Sequence, residues 1–159
     1  MTNVQTLELV EIFTDLKPEQ LELIYNICTE EIYQKSQVIF EENTPSREIF
    51  VILKGEVDIL VNVGKSNSSA IEESKKITTL RVGQSFGEIA LVDQGLRSAT
   101  ARCASDSCKL LVINRDDFMN LLQSHQEIGF QVMSNLASDL CFKIRQTTFL
   151  VRETLLYGV

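Results

Sequence analysis

The sequence predicts a mainly β fold, a barrel or jelly-roll-type sandwich carried between N-terminal and C-terminal helices. Three observations predict it. Apolar residues recur at helical spacing near both ends. Between them lie short segments rich in Val and Ile, separated by glycines and turn residues. With 159 residues, 44% of them apolar and 23% charged, the chain can bury one real core and is too apolar for disorder.

Residues 7–31 place Leu7, Val10, Ile12, Phe13, Leu16, Leu21, Ile24, Ile27 and Cys28 at helical spacing. Pro18 suits the first turn of a second helix, so two short helices are expected over about residues 5–31. From about residue 32 the period changes. The segments "VIF", "EIFVILKG", "EVDILVNV", "KKITTLRV", "RSATARCA" and "CKLLVINR" read as strands, punctuated by Gly55, Gly83, Gly87, Gly95 and the loop "ENTPSR". The polar, serine-rich stretch Gly64–Lys76 reads as a mobile hairpin loop. At Arg115 the helical period returns. "DDFMNLLQSH" makes one short helix, and a longer one runs from about Gln126 to Arg152. Its apolar stripe is Met133, Leu136, Ala137, Leu140, Ile144 and Val151. No repeat or linker interrupts the chain. A single domain over residues 1–159 is expected, with the roll at 32–114 and C-terminal helices at 115–153.

Several functions are excluded by composition. The net charge is −7, and Lys143, Arg145 and Arg152 are isolated charges on a helix, so nucleic-acid binding is not expected. No apolar run approaches the roughly 18–20 residues of a membrane helix. The N-terminus carries Glu8 and Glu11 and no basic start, so neither membrane insertion nor secretion is expected. Cys28, Cys103, Cys108 and Cys141 lack a repeated zinc-type spacing and read as reduced core or strand residues of a cytoplasmic protein. "GKS" at Gly64–Ser66 would need a further glycine at position 59 to be a phosphate loop, and Ile59 stands there. His125 is the sole histidine, so no multi-histidine metal site exists and no serine has a base beside it. No catalytic residues, no metal and no cofactor are expected, and the chain does not read as an enzyme.

The informative stretch is Phe86 to Arg102, "FGEIALVDQGLRSATAR". It sets Glu88 and Arg97 nine residues apart among apolar neighbours, and such charges are seldom buried without a partner. If Gly87 ends a strand and a helical turn starts at Glu88, the N–H groups of Ile89 and Ala90 offer an anion site. Gly87 lets a ligand approach the backbone. Arg97 adds a forked, permanent cation suited to phosphate. Ser98 contributes a hydroxyl, Ala99 leaves room, and Glu88 can accept from a sugar hydroxyl. The competing explanation is a structural ion pair between Glu88 and Arg97, and on spacing alone the two stand level.

"FGEIAL", the glutamate-to-arginine spacing and "RSAT" closely resemble the phosphate-binding cassette of cyclic nucleotide-binding domains. "VIFEENTPSREIFVILKGEVDILVNV" resembles that family's early strands, "LRVGQSFGE" its approach to the cassette, and "INRDDFMNLL" the helix after the roll. The resemblance spans roughly residues 10–153. It implies a double-stranded β-helix, with Glu88 on the ribose 2′-hydroxyl and Arg97 on the cyclic phosphate. Gly87, Ile89, Ala90, Ser98 and Ala99 would complete the cradle, and Ile59, Ile77 and Leu80 would line the roll near the base. Asn43 stands where the family often has glycine, a change that a left-handed turn tolerates. Ser98, just after the arginine, leans the expectation to cAMP, with cGMP as the second candidate.

The last helix in such domains closes over the base or forms a dimer seam. Asp139, Lys143 and Thr147 share one face at four-residue spacing and are candidates to meet the purine edge. Cys141, Phe142, Phe149, Leu150, Leu155, Leu156 and Tyr157 exceed one core-facing stripe, which points to a partner helix, a second copy of this chain. Only "VRETLLYGV" follows Leu150, too short for a helix-turn-helix, so this chain is not expected to bind DNA itself. The reading is a cyclic-nucleotide receptor module signalling through its last helix to a protein effector. The alternative is a degenerate domain that keeps the roll as a ligand-free interaction or dimerisation module.

Overall fold

The computed structural model describes residues 3–65 and 72–158. Helices α1 (Asn3–Leu7) and α2 (Pro18–Tyr25) flank a 3₁₀ turn, Glu11–Phe13. Eight strands follow: β1 (Cys28–Gln34), β2 (Val38–Phe40), β3 (Glu48–Lys54), β4 (Val57–Lys65), β5 (Glu72–Leu80), β6 (Ser85–Phe86), β7 (Thr100–Cys103) and β8 (Ser107–Asn114). A second 3₁₀ turn, Glu88–Leu91, separates β6 from β7. Helices α3 (Arg115–Ser124) and α4 (Gln126–Tyr157) close the chain.

The strands form two four-stranded sheets, ordered β1-β8-β3-β6 and β2-β7-β4-β5, with every pairing antiparallel. Central strands β3 and β8 are covered on both faces, which is why they read as near-continuous apolar runs. Ile49, Val51, Leu111 and Ile113 face the helices, packing with Leu7, Phe13, Phe118, Ile128, Val132 and Leu136. Their alternate neighbours Phe50, Ile52, Leu110 and Val112 face the opposite sheet, packing with its Val57, Ala101 and Cys103 and with Phe86 of their own sheet. Full burial of each such side chain contributes about 1.5–3 kcal/mol, so these two layers hold the roll and its helices together.

The helix termini follow their sequence signals. Pro18 opens α2, and the Asn114 side chain caps α3 by accepting from the backbone N–H groups of Asp116 (2.9 Å) and Asp117 (3.4 Å). His125 joins α3 to α4, its backbone N–H donating to the Leu121 carbonyl at 2.9 Å.

Four expectations need correction. The N-terminal helices end at Tyr25, and Cys28–Gln34 is strand, paired with β8 along its whole length. The loop expected across Gly64–Lys76 is shorter, because β4 reaches Lys65 and β5 begins at Glu72; its residues 66–71 lie outside the described residues. β1 and β5 are edge strands with mostly exposed side chains, so their polar sequences hide their conformation. Finally, the core stripe of α4 stops near Leu140. Ala137 is exposed, and Ile144 and Val151 are 65% and 53% exposed, because the helix outruns the body it packs on. Cys103 and Cys108 are buried and Cys28 half-buried, but Cys141 sits exposed on that same helix rather than in a core. No described helix is long and apolar enough to cross a membrane.

Candidate functional site

The cassette is built around Gly87, whose φ of 77° is left-handed and lets the chain turn sharply from β6 into the 3₁₀ turn. A Cβ at this position would lie 2.6 Å from Arg97 Nη1 and 3.0 Å from the Glu48 carbonyl, so glycine is also what lets the guanidinium approach the backbone. The turn is anchored from below by Arg115, whose Nε donates to the Ala90 carbonyl at 2.8 Å.

Arg97 is placed by the early loop. Its backbone N–H donates to the Thr44 carbonyl at 2.8 Å, and its carbonyl accepts from the Asn43 N–H at 2.9 Å. Asn43 takes φ 65°, the left-handed conformation expected of it. Glu88 is 6% exposed and Arg97 4%, yet they are not paired with each other. The structural ion pair between them is therefore not what buries these charges.

Arg97 Nη2 donates to the Glu48 carbonyl at 2.9 Å and to its carboxylate at 3.3 Å. The guanidinium stacks over Phe40, 4.1 Å from the ring centroid. Its Nε and Nη1 are buried and have no hydrogen-bond partner among the described residues. Burial holds the Arg97 pKa below its ordinary value, and Glu48 opposes that shift. A buried donor without an acceptor costs about 1–3 kcal/mol, which an anion in the site would remove.

Glu88 is satisfied from another element. Its Oε1 accepts from Lys143 Nζ of α4, and Lys143 also reaches Asp139 at 2.7 Å. Burial disfavours the Lys143 charge, but the carboxylates of Glu88 and Asp139 outweigh it and raise the pKa. Glu11, on the first 3₁₀ turn, extends this chain of groups. Its pKa is raised by a hydrogen bond with Asp139, by burial, and by the nearby Asp139 and Glu88 charges, with Lys143 opposing.

These residues border a cavity of about 460 Å³, within the range of small-molecule sites. Gly87, Glu88, Ile89, Arg97, Ser98, Ala99, Ile59, Leu80 and Lys143 all line it. Four candidates do not. Ala90 is fully buried and its N–H donates to the Gly87 carbonyl at 3.1 Å. Ile77 is 60% exposed and Thr78 lines the cavity instead. The cause is a bulge: Ile59 pairs with Thr78 but Leu60 with Lys76, so Ile77 is skipped and points outward. Asp139 acts behind Lys143, and Thr147 is turned to its own helix, donating to the Lys143 carbonyl at 2.9 Å. Sequence reading missed Glu48, Phe40, Phe86, Ser46 and Asp93; Glu48 lies 49 positions from the arginine it pairs with, a separation that no local pattern reveals.

No metal-binding grouping of His, Cys, Asp and Glu occurs among the described residues. Comparison with known proteins identifies the family. Residues 30–125 match the family model described as the cyclic nucleotide-binding domain. Over 123 residues the chain is 33% identical to a cGMP-dependent protein kinase of Drosophila melanogaster, isozyme 2 forms cD5/T2, covering 77% of this chain and 13% of the kinase. It is 26% identical over 136 residues to the cyclic AMP receptor protein of Thermus thermophilus, covering 85% of this chain and 57% of that protein. The solved catabolite activator protein of Thermus thermophilus superposes with a TM-score of 0.76 at 24% identity, over 89% of this chain and 62% of its own. The chain thus spans only a part of each relative's length, and on the family match over residues 30–125 and the 33% identity to the kinase it belongs to the cyclic nucleotide-binding domain family.

Proposed function

We propose that this chain is a receptor for a cyclic nucleotide, cAMP first and cGMP second, with no chemistry of its own. The observation that carries this reading is Arg97, a buried guanidinium with two unpartnered nitrogens beside a cavity. A cyclic phosphate would supply the missing acceptor, and the left-handed Gly87 leaves room for it. Glu88 would take the ribose 2′-hydroxyl, and Ile59, Leu80 and Thr78 would flank the base. Ser98, exposed on the cavity wall, offers its hydroxyl to either purine. Since Lys143 is the one α4 residue that lines the cavity among the described residues, occupancy of Glu88 is transmitted to that helix and to whatever docks on it. Such a receptor acts in the cytoplasm, where its ligand is a messenger.

Calorimetric titration with cAMP and cGMP, using Arg97→Ala as the control, tests the reading. Saturable micromolar binding, about −8 kcal/mol, is expected, with a loss of roughly 1.5–3 kcal/mol or more in the variant. The variant should melt close to wild type, because its former partner Glu48 is 42% exposed and remains solvated. No heat with either nucleotide from folded protein would instead favour the ligand-free interaction module.

The distal part of α4 fits a partner helix. Phe142, Phe149 and Leu156 recur every seven residues and are 57%, 59% and 64% exposed, beside Leu155 at 81%. A second copy of this chain is the proposed occupant, and light scattering should give a dimer; a monomer at high concentration with and without nucleotide overturns that assignment.

A further inference from the structure

The side chain that satisfies Glu88 is not part of the roll, and this has a consequence for how a ligand enters. Lys143 Nζ donates to Glu88 Oε1 and is held there by Asp139 at 2.7 Å, one turn earlier on α4. Among the described residues, Lys143 is the one side chain beyond Leu140 that forms a hydrogen bond or ion pair outside its own helix. It also stands in the cavity wall with Glu88. We infer that Lys143 is a built-in competitor for the Glu88 end of the site, which a ligand must displace, and that displacement releases the distal part of α4. This inference rests on the receptor reading above.

The groups around the contact favour such a device. Glu11, Asp139 and Glu88 converge on one ammonium, so Lys143 is the single cation among three carboxylates. Losing the Glu88 contact does not strand it, since Asp139 stays beside it and its side chain is half exposed to water. Glu88, by contrast, is 8% exposed in its side chain and needs a donor at all times. A sugar hydroxyl is such a donor. The exchange therefore swaps one partner of a buried carboxylate for another, while the displaced cation returns to solvent and to Asp139. Arg97 takes no part in it, because its own partners belong to the roll.

The test is calorimetry of the full chain with cAMP, in wild type, Lys143→Met and Lys143→Gln. Removing the competitor should tighten cAMP binding roughly two- to fivefold, the worth of a half-exposed ion pair. The gain should disappear with 2′-deoxy-cAMP, which lacks the hydroxyl that Glu88 receives. Hydrogen exchange should accelerate in residues 141–157 on adding cAMP to wild type, and should already be fast in both variants. Equal or weaker cAMP binding by both variants overturns the inference while leaving the receptor reading intact. An equal gain with 2′-deoxy-cAMP also overturns it, because Lys143 would then be merely a steric obstacle. Failure of wild type and both variants to bind any of these nucleotides overturns the receptor reading itself.

Discussion

The two buried charges of the site are neutralised from opposite directions. Arg97 draws its partners from within the roll: the Glu48 carbonyl and carboxylate, and the face of Phe40. Glu88 draws its partner from α4, a helix whose residues from Cys141 to Tyr157 are exposed apart from a half-buried Glu153. Removing a ligand from the first end would leave a rigid cradle with two unsatisfied nitrogens. Removing it from the second lets a flexible side chain fill in. One end is preorganised and under tension, and the other is adaptable and linked to a distant surface. Preorganisation supplies affinity, whereas an exchangeable partner supplies a route by which occupancy can be felt elsewhere.

Breaking the Arg97 end should have the larger effect. Gly87→Ala forces a side chain into a left-handed backbone and against Arg97 Nη1 at 2.6 Å. The strain is about 1–2 kcal/mol, visible as a lowered melting temperature. Cyclic-nucleotide affinity should fall by more than about tenfold, since the guanidinium must move. A variant that binds normally would show that the close packing of Gly87 and Arg97 is incidental.

A gentler change sharpens the other end. A carboxyl whose pKa is raised by folding holds its proton more tightly in the folded state. For Glu11 that stabilisation is full below the ordinary carboxylate range and is lost as pH rises through the raised folded value. Above that value the ionised Glu11 carboxylate faces Asp139 and Glu88, with Lys143 opposing the repulsion. Glu11→Gln replaces this with a permanent donor to Asp139. Thermal melts should show a gain of less than about 1 kcal/mol at pH 7, shrinking toward pH 4. An unchanged pH profile would remove Glu11 from the chain of groups that positions Lys143.

The parts of this structure that were legible in the sequence are those written in short-range patterns. The apolar runs of β3 and β8, the Pro18 helix start, the return of the helical period at Arg115, and the glycine–glutamate turn of the cassette are each local. What escaped was set by position in the sheets. The edge strands β1 and β5 carry polar residues because one side of each faces solvent, so residues 28–31 of β1 read as the end of a helix and residues 72–76 of β5 as loop. The two-residue β6 is too short to show any period. Ile77 followed an alternation that a bulge interrupts.

The same division holds at the site. By itself, the sequence determined that a glycine and a glutamate would share one turn with an arginine a few residues on, because their spacing is local and glycine alone suits a left-handed backbone there. Only the tertiary structure decided what those charges touch. Glu48 and Phe40 reach Arg97 from 49 and 57 positions away, and Lys143 reaches Glu88 from 55. A buried charge takes whichever counter-charge the packing of the sheets and helices brings within reach, and that packing is the sum of contacts too distant in sequence to leave a local signature.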